Sequence, residues 1–132
     1  VRHVDDGAGV VVPVRVAGVR RYLMLSSMGA DARAGDGADP VFGAYLRAKG
    51  AADDDLRARG DLDWTVLRPG RLTDEPGSGR VRIADSTGRG AVPRADVAAV
   101  LAGLLTEPAP LVGRTVELVA GELTVPEALT AA

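Results

Sequence analysis

The sequence predicts an α/β fold built on a mainly parallel sheet, and three observations carry the prediction. Two short, continuous apolar runs, RRYLMLSS (20–27) and LDWTVLRPG (62–70), each end in small polar residues or in Pro and Gly. Uninterrupted apolar residues mark strands buried on both faces, as in parallel sheets. Between the runs lies a stretch of helical periodicity, and behind them a second helix and a third strand follow in RADVAAVLAGLL and RTVELVAG. Strand, helix, strand, helix, strand with right-handed crossovers is a parallel α/β sheet.

The elements follow in order. Residues 4–18, VDDGAGVVVPVRVAG, stand where a helix should deliver the chain to the first strand. They are rich in Val, carry Pro13 in their middle and include three glycines by Gly18, each unfavourable in a helix interior, so a short, kinked helix is expected. The first strand is Arg20 to Ser27, and the polar stretch MGADARAGDGADP after it reads as a surface loop. Val41 to Arg59 reads as a helix that places Tyr45, Lys49, Ala52 and Leu56 on one stripe, with Gly60 as its stop. Asp53, Asp54 and Arg57 fall elsewhere, and Asp53 to Asp55 are expected on a solvated face rather than as an ion site, since three adjacent helical residues point in different directions. Leu62 to Gly70 is the second strand, with Trp64 in its core-facing part, halted by Pro69 and Gly70. Arg80 to Val92 reads as one or two short strands around a Gly-rich turn. Pro93 opens a helix that ends near Thr106, and Asp96 suits its N-terminal dipole. Arg114 to Gly121 is the third strand, and VPEALTAA closes with a helical turn.

Composition removes several function classes. The chain has 132 residues, 46% hydrophobic and 26% charged with a net charge of −2, which predicts one soluble globular domain with a real core. Apolar runs such as Val10 to Val14 are far too short for a membrane span. No basic excess points to nucleic acid. With no cysteine, thiolate catalysis and disulfides are excluded, and the single histidine, His3 near the terminus, speaks against a His-based triad or zinc cluster. The chain opens VRHVDD without an initiator Met or a leader pattern, which predicts a cytoplasmic protein read from within a longer one.

Ligands of open α/β sheets bind beyond the carboxyl ends of the strands. Two strands end there in Ser26-Ser27 and in Arg68-Pro69-Gly70, and the intervening helix starts near the same edge. It carries one of the two tyrosines, Tyr45, four residues before the only lysine, Lys49. That spacing puts phenol and ammonium on one helix face. An ammonium beside a phenol favours its phenolate form, and a serine hydroxyl can bind the same substrate oxygen, so Ser26 or Ser27, Tyr45 and Lys49 form a candidate acid/base site. The same pair also reads as a half-buried aromatic and a solvent-reaching amine on a packing face.

LMLSSMGA, YLRAK, LDWTVLRPGRLTDEPGSGRV, VPRADVAAVLAGLL and GRTVELVAG, taken together over residues 18–129, resemble the C-terminal half of an atypical short-chain dehydrogenase/reductase of the NAD(P)-binding, NmrA-like type. The resemblance implies a partial, doubly wound Rossmann-type sheet and one N-terminally truncated domain over 1–132, with NADP or NAD as cofactor. It implies that Lys49 hydrogen-bonds the nicotinamide ribose, that Tyr45 is the acid/base assisted by Ser26 or Ser27, and that Pro69, Gly70 and Arg71 line the nicotinamide pocket. The sequence departs from the family in lacking the G-x-x-G-x-x-G turn that cradles the pyrophosphate at a helix N-terminus, together with about three to four upstream strands.

Three functions follow. The first is an NAD(P)H-dependent oxidoreductase, or its truncated remnant, acting on a small carbonyl-type substrate. The second is a non-enzymatic NAD(P) redox sensor using the same crevice. The third is an inactive fragment that needs a separate N-terminal half, or that self-associates through an exposed sheet edge. No nucleic-acid or membrane partner is expected.

Overall fold

The computed structural model describes residues 3–4, 10–11, 20–35, 37 and 39–132. Its elements run β1 (His3–Val4), β2 (Val10–Val11), β3 (Arg21–Leu25), α1 (Pro40–Arg57), β4 (Asp63–Pro69), β5 (Arg71–Thr73), β6 (Arg80–Ala84), β7 (Ala91–Pro93), α2 (Arg94–Leu104), β8 (Arg114–Ala120), β9 (Leu123–Thr124) and α3 (Val125–Ala131). Of the segment 4–18, expected as a kinked helix, Val4 lies in β1 and Val10 and Val11 in β2, an antiparallel pair in which His3 faces Val11. The rest of that segment lies outside the described residues. Val favours a pleated surface over a helix interior, which agrees with the strands found.

One sheet holds five strands in the order β3-β4-β8-β6-β9. β3, β4 and β8 are parallel, with Leu25 opposite Leu67 and Leu67 opposite Val116. β6 runs antiparallel to both β8 and β9. The sheet is therefore mainly parallel on the β3 side, as the apolar runs predict. The 80–92 stretch does hold two strands, but they do not pair with each other: β7 leaves the main sheet and runs parallel to β5, Arg71 opposite Ala91.

Successive β4 residues point to opposite faces and so feed two cores. Val66 packs with Met24, Leu62 and the α1 residues Ala52 and Leu56 on one face. Leu67 packs with Val116, Leu118 and the α2 residues Val97, Val100 and Leu104 on the other. Helices thus cover both faces, the doubly wound arrangement. Burying a side chain such as Leu56 completely contributes about 1.5–3 kcal/mol. Trp64 is half-buried against the α1-side core, in keeping with a packing role.

α1 begins where Asp39 caps it, its carboxylate accepting the Val41 and Phe42 N–H groups at 3.0 and 3.3 Å, with Pro40 in the first turn. The helix stops at Arg57 with Ala58 as its C-cap, so Gly60 lies beyond the cap rather than forming it. Gly50 is needed for a different reason: a Cβ there would lie 2.2 Å from the Ala32 backbone nitrogen. This close approach lets the loop after β3 rest on α1, where the Asp31 N–H donates to the Leu46 carbonyl at 3.1 Å.

The amino-terminal edge of the parallel strands is closed by Arg21. Its guanidinium donates to the carbonyls of Leu104 at 2.9 Å, Pro110 at 2.9 Å and Asp63 at 3.1 Å, and to Thr65 Oγ1 at 2.8 Å. Burial pushes this guanidinium below its ordinary pKa while Asp63 and Glu107 oppose the shift, and a cation at the last carbonyls of α2 has the favourable sign for the helix dipole. Asp96 stands in the first turn of α2, but its buried carboxylate accepts the Ser78 and Gly79 N–H groups at 3.1 and 2.9 Å and so fixes the loop before β6. No helix among the described residues is long and apolar enough to cross a membrane.

Candidate functional site

At the other edge, the parallel ladder continues past the ends of its strands. The Ser26 N–H donates to the Leu67 carbonyl at 2.8 Å, and the Met28 N–H to the Pro69 carbonyl at 3.1 Å. This register sets Ser27 beside the end of β4. From there the Gly70 N–H donates to the Leu118 carbonyl at 3.0 Å, and the Arg71 N–H to the Gly90 carbonyl at 3.0 Å. The β5-β7 pair therefore rises from the carboxyl edge as a second wall facing the start of α1.

Between these walls lies a cleft of about 1340 Å³. Of the residues expected in the site, Ser27, Tyr45, Pro69, Gly70 and Arg71 line it. Phe42 stands beside Tyr45 on the α1 wall, the two rings stacked at 6.0 Å between centroids and 19° between planes. The Lys49 Nζ lies 5.9 Å from the Tyr45 ring centroid, within cation–π range of the ring. The predicted pairing on one helix face is therefore present, with Tyr45 at the cleft and Lys49 one turn behind it.

Ser26 and Lys49 are not among the residues lining the cleft. Ser26 is buried, and its Oγ donates to Asp53 Oδ2 at 2.5 Å. The same oxygen accepts from Arg68 Nε at 3.1 Å and Nη2 at 2.9 Å. The expectation of a solvated face for Asp53 is thereby corrected: Asp53 is 0% exposed and is the centre of a polar knot joining β3, β4 and α1. A buried carboxylate without such partners would be strongly unfavourable, which is why the knot includes a guanidinium. Asp54, its neighbour, turns outward and pairs with Arg57.

Sequence reasoning missed three parts of the site. Asp53 carried a signal, because it continues the stripe from Tyr45 and Lys49 by another four residues. Phe42 lies one turn before Tyr45 on the same helix and was likewise within reach of the periodicity. The Arg89-Gly90-Ala91 wall carried none, because it comes to the cleft only through the long-range pairing of β7 with β5.

Residues 8–108 match the family model described as NAD(P)H-binding. A relative from Bacillus subtilis, described as the uncharacterized sugar epimerase YhfK, is 34% identical over 125 residues, which cover 95% of this chain and 56% of the relative. A solved structure from Bacillus halodurans, assigned as an NAD-dependent epimerase/dehydratase, has a TM-score of 0.77 at 31% identity, covering 89% of this chain and 54% of that one. ChuY, described as an anaerobillin reductase from Escherichia coli O157:H7, has a TM-score of 0.69 at 31% identity, covering 83% of this chain and 54% of that one. The chain thus spans about half the length of the relatives it matches.

Proposed function

The chain belongs to the NAD(P)H-binding family, and from that premise we propose that it carries the nicotinamide and substrate side of an NAD(P)H-dependent oxidoreductase acting on a small carbonyl-type substrate. The observation that supports this reading most is the gathering of Ser27, Tyr45, Pro69, Gly70 and Arg71 around one cleft beyond the carboxyl ends of β3 and β4.

The residues present suit the flat end of such a cofactor. At Gly70 a Cβ would lie 2.3 Å from the Gly90 carbonyl oxygen, so glycine is what lets these two segments meet, and both glycines line the cleft without a side chain. Pro69, Gly70 and the start of β5 at Arg71 border that position, and Lys49 is the group for the ribose hydroxyls. When bound, NADPH or NADH supplies the hydride. The chain's own part is to hold the carbonyl oxygen by the Ser27 hydroxyl and to deliver a proton to it from the Tyr45 phenol. The Lys49 ammonium lies 5.9 Å from the Tyr45 ring centroid, so the negative charge left on the phenol in that step has a cation beside it. The Phe42 and Leu46 side chains keep that end of the cleft apolar. Ser26 supports the strand end through Asp53 and does not act on substrate.

Tyr45→Phe tests the assignment. Turnover should fall by about 10²-fold or more while NADPH affinity stays nearly constant. Comparable losses of both would contradict it. A second reading is supported by β3, which ends the described sheet on its parallel side. An edge strand can accept another, so cofactor binding could require strands docked there. Binding of NADPH only by a version extended upstream would favour that reading.

A further inference from the structure

The cleft contains cations that no described residue employs. Among the described residues, every other arginine makes a side-chain hydrogen bond or ion pair, as Arg20 does with Asp63, Arg94 with Asp74 and Arg114 with Asp85. Arg71 and Arg89 make none, and both line the cleft. The acid on the same lining, Asp39, is engaged in capping α1. The backbones that carry these two arginines are held together by the fold. Arg71 opens β5 and Arg89 stands just before β7, and their strands are locked where the Arg71 N–H meets the Gly90 carbonyl. The lock tolerates no side chain: a Cβ on Gly90 would lie 2.7 Å from Val119 Cγ1, and one on Gly70 would strike Gly90.

The same cleft also carries exposed apolar surface. Val41, Phe42, Tyr45 and Leu72, exposed by 80, 52, 42 and 37%, all line this cleft. Leaving such side chains in water is unfavourable unless something covers them, and a cation without a counter-charge at the same place invites an anion. We propose that the substrate is an amphiphilic carbonyl compound, with an aromatic or extended apolar body that lies on the Phe42-Tyr45 face and a carboxylate or phosphate that is held by Arg71 and Arg89. The inference rests on the functional reading above for the word substrate, and on the two arginines for the charge. Guanidinium forks bind both kinds of anion bidentately, so the fold itself commits to an anion and not to one source of it.

The test is direct binding to the 132-residue chain, by calorimetry at low salt, of 2-naphthoate, 2-naphthyl phosphate and the uncharged 2-naphthamide. The expected result is that an anionic ligand binds about tenfold or more tighter than the amide, with the preference shrinking as salt is raised. Whichever of carboxylate and phosphate binds tighter identifies the source of the anion. Arg71→Gln and Arg89→Gln should each reduce the preference and the double variant should abolish it, whereas Arg20→Gln, at the opposite edge, should leave it unchanged. Equal binding of amide and anions overturns the proposal, as does binding of none of them, or a preference that survives in the double variant. An Arg89→Gln variant, which leaves the Arg71 position intact, that loses NADPH affinity together with the anion preference also overturns it, because the arginine would then serve the cofactor's phosphates. The oxidoreductase reading fails separately, on wild-type chain that keeps the anion preference yet binds neither NADPH nor NADH.

Discussion

The two edges of the parallel strands use arginine in opposite ways. At the amino edge Arg21 is embedded, its donors distributed over the ends of α2, β4 and the loop before β8. At the carboxyl edge Arg71 and Arg89 reach into a cleft without a protein partner among the described residues, beside exposed aromatic rings. Arg68, just inside that edge, is of the first kind, paired with buried Asp53. The difference teaches where to look for function: polar groups satisfied by the fold explain stability, and those left over at one end of the sheet require something from outside.

The largest effect expected from breaking this contrast is at the knot itself. Asp53→Ala removes the partner of Arg68 and Ser26 and should cost about 3–5 kcal/mol in chemical denaturation, the penalty for breaking a buried pair. It should also weaken NADPH binding, because the same knot fixes α1 against the strand ends. Next, Arg21→Met leaves several carbonyls at the amino edge without a donor and should cost at least about 2 kcal/mol, with ligand affinity unchanged in the fraction that remains folded. A loss of affinity equal to that of Asp53→Ala would erase the distinction between the edges. Gly70→Ala should cost about 1–3 kcal/mol through forced displacement of the Gly90 backbone, and should reduce anion preference along with it.

The smallest effect lies away from both edges. In the capping box of α3, the Thr124 hydroxyl and N–H donate to Glu127, and the hydroxyl bond chiefly holds that carboxyl below the usual carboxylate range. Its folded value is the lower one, so its contribution is present above the ordinary carboxylate pKa and is lost as the pH falls through the lowered value. Acid titration of α3, followed by the Glu127 carboxyl carbon in NMR, should show that depressed midpoint, and Thr124→Ala should return it towards the usual range.

The parts of the fold written in local sequence were legible. The apolar runs mark β3, β4 and β8, and the helical periodicity from Val41 finds the start of α1 at Pro40 within a residue. The sheet's antiparallel side was not legible, because β9 has two residues and its pairing with β6 depends on the turn that follows β8. The site divided the same way. Tyr45 and Lys49 share a helix face by spacing alone, but which serine faces the cleft is set by how β3 meets β4, and only the folded register separates Ser27 from Ser26. Asp53 to Asp55 look like one solvated face in the sequence, but adjacent helical residues point apart, and Asp53 points inward.

The central claim is that the carboxyl edge is the ligand edge and the amino edge is structural. Backbone amide shifts recorded during titration of the chain with NADPH test it most directly. The account predicts perturbations at Ser27, Tyr45, Gly70 and the Arg89-Gly90-Ala91 wall, with Arg21, Thr65 and Leu104 unmoved. Shifts centred on Arg21 and Leu104, or none at all at millimolar cofactor, would contradict it.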